Sequence, residues 1–217
     1  MNPDYLKGKI SMIAIIDYGL GNVFSLSSSL RYLDLDCEIT RDPQHIAAAD
    51  RIILPGVGAY GDAMAKLNDT GLIPVLQEQA AQGKPFMGIC LGMQLLFETG
   101  YEYGVHKGLG LIPGSIRPLA DALSAAGSDL KVPHMGWNAL DINRRDYPLL
   151  NGISNGAYVY FVHSYYATEC QAVTLATAEY GLPVTAAVGR DNVCGCQFHP
   201  EKSGKVGLNI LRAFAGM

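Results

Sequence analysis

The sequence predicts an α/β fold with a largely parallel central sheet flanked by helices and an antiparallel extension of that sheet. Short, almost uninterrupted apolar segments alternate with segments of helical periodicity, a pattern typical of parallel strands buried on both faces. Glycine is frequent, at 25 of 217 residues, and favours tight turns between short elements. Apolar residues make up 49% of the chain. That is enough for one sizeable core, so we expect a single domain over residues 12–217 behind an extension of residues 1–11.

The first half of the chain repeats the order strand, turn, helix. Apolar runs ended by Gly or Pro mark the strands, apolar residues three or four positions apart mark the helices, and Asn22 suits a helix N-cap. The predicted elements are a strand over 12–17, a helix over 23–33, a strand over 51–54, a helix over 73–82, a strand over 86–89 and a helix over 91–98. This order predicts right-handed crossovers between parallel strands.

The second half has a different pattern. An Ala/Ser-rich insertion over 119–131 comes first, and short apolar segments separated by Gly, Pro and Asn follow it. Strands are predicted over 158–162, 173–177, 184–188 and 193–198, and an amphipathic helix over 203–214. We interpret these strands as the mostly antiparallel extension of the central sheet.

The charge balance excludes several classes of function. The chain has 16 basic and 20 acidic residues, a net charge of −4, and no Lys/Arg run. Binding to nucleic acid or to an anionic membrane surface is excluded, because counterion release needs a concentrated cationic face. The sequence contains no apolar stretch long enough to span a membrane and no secretory signal. We therefore expect a cytoplasmic protein whose five cysteines are free thiols.

The strongest local signal for chemistry is Cys90, which lies between Gly88 and Gly92 where an apolar strand meets a helix. A nucleophile on such a sharp turn has a strained backbone, and the flanking glycines leave room for the turn and for a substrate. The start of the following helix favours the thiolate form. The alternative is a small buried cysteine between two packing glycines.

A second signal is the pair His199 and Glu201, which follows the last predicted strand. An extended backbone with Pro200 between them points both side chains to one side, so the carboxylate can accept the Nδ1 proton and leave Nε2 for the sulfur. Taken alone, the pair could be an exposed loop histidine with a solvated glutamate. Together with Cys90 it favours a cysteine hydrolase.

Residues 55–58 (PGVG) follow a buried strand and supply the third part of such a site. Attack on a carbonyl forms an oxyanion that needs backbone donors, and glycines allow a peptide to turn its N–H inward. The amides of Val57 and Leu91 are the candidate donors. Without Cys90, a simple Pro-Gly turn would explain the segment.

Three other patterns do not indicate a cofactor or a metal. Gly19 and Gly21 resemble a dinucleotide-binding fingerprint, but Phe24 occupies the third glycine position. Cys194 and Cys196 are too close in sequence for the usual metal-ligand spacing, and the histidines form no helical i, i+4 pair. We propose no metal site and no cofactor.

These residues resemble a known family, the class I (triad-type) glutamine amidotransferases. Finer motifs are similar to those of the glutaminase subunits of imidazole glycerol phosphate synthase: residues 55–58 (PGVG), 133–138 (PHMGWN), 163–165 (HSY) and 199–203 (HPEKS). The resemblance covers about residues 12–216. The additional N-terminal residues and the 119–131 insertion depart from it.

The resemblance implies roles for particular residues. Cys90 would be the nucleophile, His199 the general acid and base, and Glu201 the residue that orients the imidazole. L-Glutamine would be hydrolysed through a thioester. Its α-amino and carboxylate groups would be held by Gly56, Gln94, Glu102, Ser164 and Tyr165.

The resemblance also implies a partner. Few residues follow Glu201, so we expect no synthase domain in this chain and a heterodimer with a separate cyclase subunit, a (β/α)8 barrel that uses the ammonia in histidine biosynthesis. The interface would include Asn22, Trp137, Asn138 and Lys202, although core packing is an equal alternative for Trp137. We further expect the partner to gate the Gly56–Val57 peptide, whose carbonyl would face the sulfur at rest.

Other functions remain open on the sequence alone. A free-standing cysteine hydrolase of similar fold would be active without a cyclase. A paralogous amidotransferase subunit would deliver ammonia to another pathway. A catalytically silent binding subunit would show no turnover and no thiol reactivity at Cys90.

Overall fold

The computed structural model describes residues 11–217, so the extension predicted over 1–11 lies outside the described residues except for Ser11. This part of the chain contains fourteen strands and seven α-helices. The strands are β1 (Ile13–Ile16), β2 (Cys37–Thr40), β3 (Arg51–Gly56), β4 (Phe86–Cys90), β5 (Phe97–Gly100), β6 (His106–Lys107), β7 (Ile112–Pro118), β8 (His134–Ala139), β9 (Asp141–Ile142), β10 (Tyr158–His163), β11 (Tyr165–Thr168), β12 (Thr174–Glu179), β13 (Pro183–Arg190) and β14 (Val193–Cys196). The helices are α1 (Val23–Tyr32), α2 (Pro43–Ala48), α3 (Tyr60–Asp69), α4 (Ile73–Ala81), α5 (Leu91–Leu95), α6 (Leu119–Ala125) and α7 (Gly204–Ala215).

The central sheet has eight strands in the order β2-β1-β3-β4-β14-β13-β12-β9. The first five are parallel to their neighbours. The last three join by antiparallel pairing. Side chains alternate between the two faces: Ile13 and Ile15 pack in one apolar cluster and Ile16 in the other. The predicted fold class is therefore confirmed.

One predicted strand was assigned to the wrong sheet. The segment predicted over 158–162 forms β10, which pairs antiparallel with β8 in a separate two-stranded sheet. Val159 and Phe161 on β10 are fully buried, whereas Tyr158 is 58% exposed. The strand thus covers the core with one face only. The alternation of its side chains was visible in the sequence, but its pairing partner was not.

Helix α5 is shorter than the helix predicted over 91–98, and the chain continues directly into β5. The carbonyl of Leu96 accepts hydrogen bonds from the backbone N–H groups of Leu111 and Ile112, at 2.8 and 3.0 Å. The segment that enters β7 therefore occupies the Leu96 carbonyl, which a longer α5 would need as the acceptor of its own helical hydrogen bond. Phe97 is fully buried and is the first residue of β5, which belongs to a four-stranded sheet in the order β11-β7-β5-β6.

Strand β3 is longer than predicted, because Pro55 does not end it. Pairing of β3 with β1 stops at Ile53, whereas pairing with β4 continues through Pro55 opposite Ile89 and Gly56 opposite Cys90. Beyond Ile53, the edge of β3 that faces β1 pairs with no strand. Pro55, which has no N–H group, therefore interrupts no hydrogen-bond ladder on that edge. The extra residues carry the PGVG segment to the end of β4.

The Ala/Ser-rich insertion predicted over 119–131 begins as helix α6. Leu119 and Leu123 on α6 are buried and pack with Val184 in a small third cluster. This part of the insertion is thus integrated into the fold.

The C-terminal helix α7 agrees closely with the helix predicted over 203–214. Ile210, Leu211 and Phe214 are fully buried in the first apolar cluster. Within residues 11–217, no helix has both the length and the apolar character needed to cross a membrane.

Candidate active site

Cys90 lies at the junction of β4 and α5, with φ 55° and ψ −115°. Positive φ is costly for a residue with a side chain and persists only where the surroundings impose it. The side chain is nearly buried, with the residue 7% exposed, and it borders a cavity. The strained residue is thus the one that the sequence predicts as the nucleophile.

Three glycines make this junction possible. A Cβ atom on Gly88 would lie 2.6 Å from the carbonyl oxygen of Gly92, and one on Gly56 would lie 2.6 Å from the Gly92 nitrogen. A Cβ atom on Gly92 itself would overlap the carbonyl oxygen of Leu54. The glycines thus allow β3, β4 and α5 to approach one another closely. Packing and nucleophile placement, which the sequence presented as alternatives, coincide at these positions.

His199 and Glu201 contact each other as the sequence spacing suggests. Nδ1 of His199 lies 2.8 Å from Oε1 of Glu201, and both side chains are 3% exposed. Pro200–Lys202 forms a short 3₁₀ turn and not the expected extended segment, yet the contact is made. The imidazole also interacts electrostatically with Cys90, and both residues line one cavity. Because Nδ1 is taken by the carboxylate, Nε2 is the nitrogen left for the sulfur.

The protonation of His199 follows from competing influences. Burial lowers its pKa, but the hydrogen bonds and the negative charges of Cys90 and Glu201 outweigh burial and raise the pKa to about 10. The imidazole is therefore held protonated at neutral pH. That is the form able to deliver a proton to a leaving group.

A cavity of about 300 Å³ opens beside Cys90 and His199. Most of the residues predicted to bind glutamine or the oxyanion line it: Val57, Leu91, Gln94, Glu102, Ser164 and Tyr165. Gly56 is not among the lining residues. It is buried, and a Cβ added there would lie 2.6 Å from the Gly92 nitrogen and 2.8 Å from the Tyr18 hydroxyl.

Gln94 and Glu102 are held in place by other parts of the fold. Nε2 of Gln94 donates to the carbonyl of Tyr165 at 3.1 Å and to Oε1 of Gln197 at 2.8 Å. Both N–H groups are used, so Gln94 can offer a ligand its Oε1 acceptor. Oε2 of Glu102 accepts from the backbone N–H of Tyr60 at 2.6 Å, at the start of α3. An amide oxygen and a carboxylate on one cavity wall suit an ammonium group.

The two candidate oxyanion donors lie at the ends of adjoining segments. Val57 follows β3 and is 40% exposed, and Leu91 is the first residue of α5. The Tyr18 hydroxyl donates to the Pro55 carbonyl at 3.0 Å and so holds the backbone just before Gly56. The role of Tyr18 is not predictable from the sequence, since only the fold brings this residue to the PGVG segment.

Comparisons with known proteins identify the family of this chain. The model of the glutamine amidotransferase class-I family matches residues 14–215. The chain belongs to this family. As a class-I amidotransferase it is an enzyme of the glutamine amidotransferase class.

Two curated relatives of this amidotransferase carry the name imidazole glycerol phosphate synthase subunit HisH. The protein from Syntrophotalea carbinolica is 47% identical over 207 residues, covering 95% of this chain and 100% of the relative. The protein from Lactiplantibacillus plantarum is 50% identical over 206 residues, covering 95% and 96%.

Solved structures show the same fold at low sequence identity. The structure of PurLQS from Thermotoga maritima aligns with a TM-score of 0.74 at 19% identity, covering 96% of this chain and 99% of that one. A crystal structure titled glutamine amidotransferase aligns with a TM-score of 0.71 at 17% identity, covering 94% and 99%.

A chain of hydrogen bonds beside the amidotransferase cavity was not foreseen from the sequence. Nδ1 of His163 lies 2.9 Å from the Tyr165 carbonyl, Nδ1 of His134 lies 3.0 Å from Nε2 of His163, and Nδ2 of Asn138 lies 3.2 Å from Nε2 of His134. A carbonyl can only accept, so each group must donate in the same direction, from Asn138 to Tyr165. This order requires both imidazoles to be neutral. Burial lowers the pKa of His134 to about 4 and that of His163 to about 3, in agreement.

The two neutral imidazoles predict a loss of stability in acid. Because the pKa of His163 is lower in the folded state than in the unfolded state, its contribution is complete above about pH 6.5 and is lost as the pH falls toward 3. The free energy of unfolding in urea is measured for the wild type and for His163→Gln at pH 7.0, 5.5 and 4.5. As the pH falls, it should decrease more in the wild type than in the variant. The relative fall should approach about 1.4 kcal/mol per pH unit. A constant difference across this range would contradict the assignment.

Trp137 lies on the surface of the amidotransferase and not in its core. It is 56% exposed, so the core-packing alternative is wrong. Its ring contacts Tyr160 edge-on, at 6.2 Å between centroids, and the N–H of Tyr160 donates to Ser203 Oγ at 3.0 Å. Lys202, which is exposed, precedes Ser203. These contacts connect Trp137 to the chain segment that carries His199 and Lys202.

The two asparagines predicted at the interface have structural contacts. Oδ1 of Asn22 accepts from the Ser25 N–H at 3.4 Å and caps α1. Asn138 donates to the Glu179 carbonyl at 2.8 Å in addition to His134. Both residues are half-buried, so the structure gives each a role apart from any interface.

The competing motifs have structural explanations. Gly19 and Gly21 have positive φ and form the turn that leads into α1. Cys194 and Cys196 are fully buried, free thiols on β14. Over residues 11–217, no group of three or more His, Cys, Asp or Glu side chains could hold a metal ion.

Proposed function

We propose that this amidotransferase is the glutaminase subunit of imidazole glycerol phosphate synthase. It hydrolyses L-glutamine to glutamate and ammonia, and a separate cyclase subunit uses the ammonia in histidine biosynthesis. The observation that carries the proposal is the Glu201–His199 hydrogen bond beside Cys90, with His199 and Cys90 lining one cavity and interacting electrostatically. The identity of 47–50% with subunits of that synthase over 95% of the chain supports the specific pathway.

The cavity walls suggest how glutamine binds. Oε1 of Gln94 and the carboxylate of Glu102 accept from the α-ammonium group, and the backbone of Ser164 and Tyr165 receives the α-carboxylate. The side-chain carboxamide then extends toward Cys90. A cavity of about 300 Å³ lies at the small end of ligand sites, as a single amino acid requires.

The chemistry follows from the groups around Cys90. The sulfur attacks the carboxamide carbon, and the resulting oxyanion is stabilised by the N–H groups of Val57 and Leu91. Protonated His199 donates its Nε2 proton to the nitrogen as the C–N bond breaks, which releases ammonia and leaves a glutamyl thioester on Cys90. Neutral His199 then removes a proton from water, which hydrolyses the thioester to glutamate. Glu201 keeps the imidazole in position throughout.

The partner is a cyclase subunit with a (β/α)8 barrel, and the two chains form a heterodimer. Ammonia released into water would be protonated and diluted, so the site needs a docked acceptor enzyme. Met135 and Trp137 on β8, at 60% and 56% exposed, support a docking surface near the His199 segment. Lys202, Asn22 and Asn138 are proposed to contact the cyclase at the same interface. The pathway is proposed to operate in the cytoplasm.

Docking of the partner would also control the oxyanion hole. The Gly56–Val57 peptide lies just beyond the carbonyl that Tyr18 holds, and a flip of the whole peptide plane would exchange the directions of its C=O and N–H relative to the sulfur. In the resting state the carbonyl faces Cys90, and glutamine is not consumed. The cyclase and its ligand favour the opposite orientation.

Partner stimulation is the test of this function. Glutamate release from glutamine should rise at least about tenfold when a cyclase subunit and its acceptor substrate are added to the full chain, because the oxyanion hole forms only then. Equal rates with and without the cyclase would favour a free-standing hydrolase. No release under any condition would favour a silent binding subunit.

A matched pair of variants locates the docking surface in the same assay. Trp137→Ala should reduce the stimulation by the cyclase while leaving the rate of the isolated chain unchanged. Tyr32→Ala removes another exposed aromatic side chain, 76% exposed on α1, and should leave both rates unchanged. Full stimulation of Trp137→Ala would remove that residue from the interface.

A further inference from the structure

Gln197 is a fully buried polar residue that lies between β14 and His199. Its side chain contacts two residues of the candidate site. Oε1 lies 2.8 Å from Nε2 of Gln94, and Nε2 lies 3.8 Å from Sγ of Cys90, within hydrogen-bond range for sulfur. A buried amide placed between these two residues calls for an explanation.

The hydrogen-bond network determines which end of the Gln197 amide faces the sulfur. The carbonyl of Tyr165 can only accept, so the Gln94 group that contacts it must be the NH₂ group. The second N–H of that group points to Gln197, which must therefore present its oxygen to Gln94. Consequently the NH₂ group of Gln197 faces Cys90.

The thiol and thiolate forms of Cys90 have different partners. The thiol can donate its proton to the Val162 carbonyl, 3.9 Å from Sγ. The thiolate cannot donate, and a carbonyl oxygen beside it is unfavourable. An N–H donor aimed at the sulfur favours the anion and opposes the influence of the carbonyl.

We propose that Gln197 is a catalytic residue that donates a hydrogen bond from Nε2 to Sγ of Cys90 and stabilises the thiolate. Because Gln94 donates to both the Tyr165 carbonyl and Oε1 of Gln197, it fixes the orientation of the Gln197 amide. Gln94 thereby links the proposed glutamine-binding site to the nucleophile. The inference rests on the proposed role of Cys90 as nucleophile. Its test measures thiol reactivity and needs no glutamine turnover, so its failure is distinguishable from failure of the proposed function.

The charged and titratable groups around Cys90 come from several elements. His199 interacts electrostatically with Cys90 and is itself hydrogen-bonded to Glu201. Tyr18 and Cys196 interact electrostatically with Cys90. Replacing the neutral Gln197 leaves all these groups in place. A change in the pH at which Cys90 ionises then reports the lost N–H donor.

The experiment follows alkylation of Cys90 in the full chain by iodoacetamide, a neutral reagent, between pH 5 and 10. Mass spectrometry of the Cys90 peptide separates this thiol from the other four. Gln197→Met is close in size and removes the donor, so the midpoint of alkylation should rise by about one pH unit. Gln79→Met replaces another buried glutamine, 5% exposed on α4, and should leave the midpoint unchanged.

Two further variants keep the test decisive if Gln197→Met does not fold. Gln94→Met keeps the Gln197 amide but removes the group that orients it, so its midpoint should rise less than that of Gln197→Met, and the KM for glutamine should also rise. The double variant Gln94→Met/Gln197→Met removes both partners, so no N–H of the pair is left buried without an acceptor. Its midpoint should rise as far as that of Gln197→Met. A wild-type midpoint in the single or double Gln197 variant, or an equal rise in Gln79→Met, would overturn the proposal.

Discussion

Replacing Cys90 with alanine should lower the glutamine-dependent rate of the complex by about four orders of magnitude or more. The variant has no sulfur to form the thioester, and neither His199 nor Glu201 can supply a comparable nucleophile. Synthesis from added ammonium salt at alkaline pH should continue at the wild-type rate, because that reaction belongs to the cyclase. Both rates are measured on the assembled complex.

A matched control for this variant is Cys170→Ala. Cys170 is also a buried, free thiol, but it lies outside the cavity and contacts Thr174 and Thr185. Its replacement should leave the glutamine-dependent rate within about twofold of the wild type. Residual glutamine use by Cys90→Ala above one per cent of the wild-type rate would contradict the proposed mechanism.

Replacing Gly92 with alanine should abolish glutamine hydrolysis and lower the free energy of unfolding by about 3 kcal/mol or more. The added Cβ would overlap the carbonyl oxygen of Leu54, so α5 must move away from β3. Such a movement displaces the Leu91 N–H and changes the backbone at Cys90. Urea unfolding and glutamate release measure the two effects.

Gly216→Ala is the control for the Gly92 variant. Gly216 has φ −94°, and a Cβ there would lie at an ordinary distance of 3.5 Å from the Ala213 carbonyl. Gly216→Ala should therefore leave the free energy of unfolding unchanged or raise it by up to about 1 kcal/mol. A Gly92→Ala protein as stable and as active as the Gly216→Ala protein would contradict the close packing of α5 against β3.

The catalytic candidates were predictable because each is marked by its immediate neighbours in the chain. Gly88 and Gly92 flank Cys90, and Pro200 separates His199 from Glu201. The structure brings these segments together through parallel pairing of β4 with β14, in which Ile89 lies opposite Cys196. Parallel strands place their carboxyl ends side by side, so residues that follow both strands meet at one edge of the sheet.

Helix α5 illustrates where local reasoning failed. The periodicity of residues 91–98 is compatible with eight helical residues, but the structure ends the helix at Leu95. The reason is the hydrogen bonds that Leu111 and Ile112 donate to the Leu96 carbonyl, and those residues lie just before and at the start of β7, beyond β5 and β6. A helix of little more than one turn also has a small dipole, so the environment of the Cys90 sulfur depends more on His199 and Gln197.

The sequence by itself determined the alternation of buried strands and helices and the glycine-flanked nucleophile, because both depend on side-chain patterns within a few residues. It did not determine the separate β8–β10 sheet, the direction of the His134–His163 hydrogen bonds or the contact of Gln197 with Cys90. Those features join residues that are 19 to 107 positions apart. A hydrogen bond between such residues depends on the distance and angle between two backbones, and only the packed tertiary structure sets these.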